Sequence, residues 1–119
     1  MKKEKIKGQI AYCENKDLKG LEHLKGGHYV YIRNVDDNGK CSVNVITSLE
    51  TSPFNYNQEK LKHVRKGNTY AIPFYDSNFS KWSGVTKTPI DNVDLNALKN
   101  VGIKKIKRKH KFYIGKFCK

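Results

Sequence analysis

The hairpin written into residues 26–50 narrows the folds open to this chain more than any other stretch. From His28 to Asn34 the side chains alternate, with Val30 and Ile32 on one face and Tyr29, Tyr31 and Arg33 on the other. Asp36-Asp37-Asn38-Gly39 follows as a reversal, because Asn-Gly accepts the positive φ that a tight hairpin turn needs. The alternation resumes with Cys41, Val43, Val45 and Thr47 on one face and Ser42, Asn44 and Ile46 on the other. The second strand ends in Thr47-Ser48, where a sheet gives way to a loop. Such a strand end holds a polar group in a fixed place while leaving it accessible.

The flanking segments are short and varied. Ile10 and Tyr12 alternate in a brief strand over 8–13, behind a basic lead at 1–7. Leu18, Leu21 and Leu24 recur at spacing three, as in a short helix or a single-turn segment, until Gly26-Gly27 ends it. Residues 49–57 read as a loop and 58–66 as one or two helical turns or an irregular crossing, with Leu61 and Val64 inward. Residues 69–75 read as a third strand, with Tyr70, Ile72 and Phe74 on one face and Pro73 marking an edge or bulge. Phe79 and Trp82 lie in a polar loop, and residues 84–90 look extended around Val85. Asp94 caps a short helix over 94–100, and Phe112 and Ile114 share a face of a final strand over 111–117. The whole predicts one domain over residues 1–119, mainly β with short helices, as a small barrel or a strongly bent antiparallel sheet.

Charge then narrows the partners. Lys and Arg number 24 against 11 Asp and Glu, a formal net charge of +13. A small domain this basic points to a polyanion, nucleic acid above all. No apolar run is long enough to cross a bilayer, and no amphipathic helix is visible to lie on one. The basic lead is not followed by an apolar segment, so no secretory signal is expected and the cytoplasm is the expected compartment. Cys13, Cys41 and Cys118 are too few and too dispersed for a disulfide framework or a zinc site, so no metal and no cofactor is expected.

Certain landmarks go further. Gly27-His28 leads into an apolar strand, Asn38-Gly39 turns it, and Val45-Ile46-Thr47-Ser48 closes the second strand. Val85-Thr86-Lys87-Thr88-Pro89-Ile90-Asp91 follows, ahead of the short helix. Over residues 26–100 this pattern resembles the PemK/MazF family, the ribonuclease toxins of bacterial toxin–antitoxin pairs, which show Gly-His-Arg-Pro before the first strand and Pro-x-Thr-Ser after the second. The resemblance implies an SH3-like barrel, often a homodimer, that cleaves single-stranded RNA without metal and is countered by an acidic antitoxin. Thr47 takes the place of the family's Thr. Tyr29 stands where the family has its Arg, both motif prolines are absent, and the final strand stands where the family closes with a helix.

Cleavage of RNA by its own 2′-hydroxyl needs a base, an acid and a cation for the crowded phosphate. With the family Arg gone, His28, Arg33 and Lys87 are the candidates to serve beside Thr47, with His63 and Arg65 flanking the third strand. Tyr29 and Tyr31, on one face with Arg33, form a pattern that stacks bases, as do Phe79 and Trp82. Lys104, Lys105, Lys107, Arg108 and Lys109 form a phosphate track. Each has a plainer reading: Thr47 as a strand-end hydroxyl, the cations as solvated charges, Trp82 as a plug for the barrel end. The function expected is an RNA-binding, PemK/MazF-like, metal-independent endoribonuclease. The alternatives are a non-catalytic nucleic-acid-binding SH3-like module and an adaptor whose basic face docks an acidic protein.

Overall fold

The computed structural model describes residues 7–52, 55–73, 75, 79, 81–100 and 107–118. The chain begins with β1 (Ile10–Glu14) and a 3₁₀ turn (Asn15–Asp17). The central hairpin follows as β2 (Gly27–Val35) and β3 (Lys40–Ser48). A small ribbon of β4 (Glu50–Ser52) and β5 (Asn55–Tyr56) leads into α1 (Gln58–Arg65). Then come β6 (Thr69–Ile72), β7 (Ser83–Thr86), β8 (Ile90–Asp94), a second 3₁₀ turn (Leu95–Ala97), β9 (Leu98–Asn100) and α2 (Arg108–Phe117). The fold is mainly β with short helices, as the alternation predicts. One strongly bent antiparallel sheet runs in the order β6-β7-β3-β2-β1-β9, and β8 also pairs with β3. Among the described residues no helix is long and apolar enough to cross a membrane.

The hairpin closes as its residues dictate. Asp36 Oδ1 accepts from the backbone N–H groups of Asn38 and Lys40, both at 2.9 Å, and Gly39 takes φ +76°. Tyr29 pairs with Ile46 and Tyr31 with Asn44, but the register shifts between Ile32 and Asn34. Arg33 is the extra residue of that bulge, so simple alternation does not fix where its side chain goes. Gly27 opens β2 beside β1, where a Cβ would come within 2.5 Å of the Cys13 carbonyl oxygen. The two strands approach that closely only because the residue is glycine.

β3 changes partners along its length. Its end, Ile46 to Ser48, pairs with Val85 to Ser83 of β7, while Lys40, Cys41 and Val43 pair with β8. Between the two, Thr86 stays paired with Thr69 of β6 and residues 87–89 form a turn away from β3. Asn44, fully buried, replaces the missing ladder bonds: its Nδ2 donates to Thr86 O at 2.9 Å and Lys87 O at 3.1 Å. Thr86 Oγ1 donates to Val45 O at 3.1 Å, so the swung-out turn is held at both sides.

Both faces of the hairpin are buried. Val30, Ile32, Val43 and Val45 pack with Leu18, Val93 and Leu98 in one cluster. Tyr31 and Ile46 pack with Ile10, Ile72, Val85 and Ile114 in the other. Each fully buried Ile or Val contributes about 1.5–3 kcal/mol by leaving water. Four expectations change here. Tyr31 is 7% exposed and belongs to the core, so it does not belong to an open stacking face. Residues 111–117 form most of a helix, not a strand: His110, Ile114 and Cys118 recur every four residues on its buried side, while Phe112 is exposed. The segment at 94–100 keeps its Asp94 cap, which accepts from Asn96 N at 2.9 Å, but makes one 3₁₀ turn and then β9. The expected loop at 49–57 contains β4 and β5.

Candidate active site

A cavity of about 670 Å³ opens beside the end of β3. Val45 and Thr47 line it from β3, His28 from β2, and Lys60 and His63 from α1. The end of β7 adds Thr86, the turn after it Lys87 and Thr88, and the segment before β2 Lys19, Leu21 and Leu24. Among the described residues no acidic side chain lines it. The cavity therefore combines cations, hydroxyls and an apolar lip, a lining suited to an anionic ligand with a flat apolar part.

His28 is held by Asn15. The Asn15 Nδ2 donates to Lys25 O at 3.1 Å, which turns Oδ1 toward His28 Nδ1 at 2.6 Å. An amide oxygen only accepts, so Nδ1 carries the proton and Nε2 keeps its lone pair. Asn15 is 2% exposed, and its N–H donates to Gly26 O at 2.9 Å, so the orienting group is fixed by the backbone on both sides. Burial first, and the nearby Lys60 charge second, lower the His28 pKa below the ordinary imidazole value. His28 is thus a neutral base at neutral pH.

Lys60 is aimed by its helix. Asn57 caps α1, its side chain accepting from Lys60 N at 3.1 Å. The Lys60 ammonium donates to Thr47 Oγ1 at 2.6 Å and to Ser48 O at 3.0 Å. An ammonium has three N–H donors, so one is left for a ligand. Burial lowers the Lys60 pKa from its usual value. His63 lies three residues further along α1, the spacing that puts two side chains on one helix face.

Of the residues singled out in the sequence, Thr47, His28 and Lys87 meet at this cavity, and His63 joins them. Arg33 is not among its lining; its charge acts instead on the Cys118 thiol near the end of α2. Tyr29 lines a smaller neighbouring cavity with Ser48, Phe79 and Lys81, and its ring packs against Tyr12 and Phe79 at 5.5 and 5.2 Å between centroids. Arg65 is exposed on α1 and is not among the lining. Trp82 is half-buried with its ring against Tyr75 at 6.2 Å. Lys107 is exposed at the start of α2, and Arg108 and Lys109 lie in its first turn. Lys104 and Lys105 fall outside the described residues.

Asn15 and Lys60 escape sequence reasoning. Their signal is faint but present: a capping Asn57 followed by a Lys-x-x-His pair, and an Asn ahead of a leucine-punctuated turn. Among the described residues no three His, Cys, Asp or Glu side chains gather where a metal ion would be held. In comparisons with known proteins the chain matches no family model, no curated protein and no solved structure, so the site's own geometry carries the functional reading.

Proposed function

We propose that this protein binds single-stranded RNA at the His28 cavity and cleaves it by internal attack of the 2′-hydroxyl. His28 Nε2 takes the 2′-hydroxyl proton, the 2′-oxygen bonds to phosphorus, and the P–O5′ bond breaks. His63 gives a proton to the departing 5′-oxygen. Lys60, braced by Thr47, faces the developing charge on the phosphate oxygens, and Lys87 adds a second cation at the same cavity. The products are a 2′,3′-cyclic phosphate and a 5′-hydroxyl.

The observation that carries this reading is the convergence of an oriented neutral imidazole, a second imidazole and a tethered ammonium on one cavity without acidic lining. Base, acid and cation are then all supplied by side chains. The C-terminal α2 also stands where the PemK/MazF resemblance expects a closing helix, and Thr47 stands at the strand end where that family keeps its threonine. Lys60 takes over the charge that the family Arg supplies. The formal charge of +13 suits both an RNA and the acidic antitoxin that the resemblance implies.

The test is incubation of purified protein with a long labelled RNA in EDTA, beside His28→Ala and Lys60→Ala. Discrete fragments ending in cyclic phosphate from the wild type, lost with both variants, support the reading. RNA that is shifted on a gel yet stays intact with the wild type would leave the alternative, a nucleic-acid-binding module without cleavage.

A further inference from the structure

Helix α2 has an unusual division of faces. His110, Ile114 and Cys118 are buried, so the inward side is already occupied. Two large aromatics nevertheless lie outside: Phe112 is 59% exposed and Tyr113 53% exposed. Their rings meet edge to face with centroids 5.7 Å apart, and Lys116 Nζ sits 4.7 Å from the centre of the Phe112 ring. The helix contains Arg108, Lys109, Lys111 and Lys116 and no acidic residue. An ordinary surface helix hides its aromatics and shows its lysines; α2 shows both.

The helix is also continuous with the cavity. Lys87 lines the cavity, and its Nζ lies 5.7 Å from the centre of the Phe117 ring on α2. A strand leaving the cavity past Lys87 therefore meets α2 next. Exposed rings interleaved with cations suit a single-stranded polynucleotide, whose bases stack on the rings while its phosphates meet the ammonium groups.

We infer that Phe112 and Tyr113 form a base-stacking platform for the part of a single-stranded RNA that extends beyond the cavity. The inference rests on the reading of the cavity as an RNA site. The platform gives the protein a preference for long strands over short ones. It contributes to binding, while the chemistry stays at His28 and Lys60.

The experiment compares labelled RNAs of four and of sixteen nucleotides in EDTA. At about 3.4 Å per stacked nucleotide the longer strand spans roughly 54 Å, more than the 42 Å length of the molecule. Binding is read by fluorescence anisotropy, and cleavage of the four-nucleotide RNA is read separately. Phe112→Ala, Tyr113→Ala and the double variant are expected to bind the sixteen-nucleotide RNA about fivefold or more weakly, since each lost stacking contact costs that much or more. Phe112→Trp should restore binding, and cleavage of the short RNA should be unchanged throughout. If the double variant binds the long RNA as tightly as the wild type, the platform is ruled out even when cleavage of the short RNA stands. If the wild type binds polyglutamate through these rings more tightly than RNA, the surface belongs to an acidic protein and the inference falls. If no RNA is cleaved but the variants still lose long-strand binding, the cavity reading fails alone.

Discussion

At His28 the direction of one amide decides which nitrogen is available, and that direction can be changed. Asn15→Asp would replace the amide oxygen at Nδ1 with a carboxylate, which favours the charged imidazole. The acid limb of the cleavage profile should then move up by about one pH unit. In the wild type that limb is expected below 6.5, because burial and Lys60 both oppose protonation of His28. A bound phosphate would offset the Lys60 charge and so raise the proton affinity of His28. The linkage to folding has a definite sign. The unfolded chain protonates His28 near 6.5 and the folded chain does so only at lower pH, so the unfolded state binds more protons in between. The His28 contribution to stability is therefore constant above 6.5 and falls as pH drops through the window beneath it, measurable as a lower denaturant midpoint. Removing the base should slow cleavage by about 10²–10⁴-fold, and Lys60→Ala by about 10²–10³-fold, as for other lost oxyanion donors. Single-turnover rates on one RNA would check both.

Among the elements, α1 is the lightly attached one. None of its residues is buried, and it is held by its Asn57 cap, the Asn57 N–H to Leu49 O at 2.8 Å, and the Lys60 ammonium on Thr47 and Ser48. Its amides should exchange with solvent faster than those of Val43 and Val45, and Lys60→Met should speed them about tenfold further, since a hydrogen bond to a charged group is worth about 1.5–3 kcal/mol. β7 is the opposite case. A Cβ at Gly84 would come within 2.5 Å of Thr69 Cγ2 and 3.0 Å of Leu49 Cδ2. Gly84→Ala should cost about 1–3 kcal/mol by overpacking, read as a lower denaturation midpoint. The hairpin was legible in the sequence because alternation and an Asn-Gly turn are local signals. The Arg33 bulge is not legible from alternation, because a bulge depends on the partner strand. Residues 111–117 misled because Phe112 and Ile114 fit a period of two, and only the packing of His110 and Cys118 on either side of Ile114 favours the helix. At the site, Thr47 and His28 stood out because they carry a recognisable local pattern. Asn15 and Lys60 did not, since each acts across 13 residues of chain, a separation that only folding closes.

Over the whole molecule, charge sets how the protein meets its ligand. Lys19, Lys60 and Lys87 line the cavity, and each single-strand phosphate contact adds about −0.7 to the slope of log affinity against log salt. Binding of a four-nucleotide RNA should therefore show a slope of about −2, and a long strand that also engages α2 a steeper one. Equal slopes for the two lengths would mean that the added length meets no further cations.

β3 lies between two hydrophobic clusters, with Val43 and Val45 facing one, Ile46 facing the other, and Asn44 fastening the turn that carries Lys87. A strand with one wet face tolerates replacement at every second position. In this strand the run from Val43 to Thr47 has no such respite, so a saturation scan should find a continuous block of intolerant positions where alternation would leave gaps. Thr47, whose hydroxyl accepts from the Lys60 ammonium, ends a segment in which almost no substitution should be silent. Tolerated changes should then fall in the loops and on the exposed faces of the helices, and the β3 wall of the His28 cavity shares the constancy of the core.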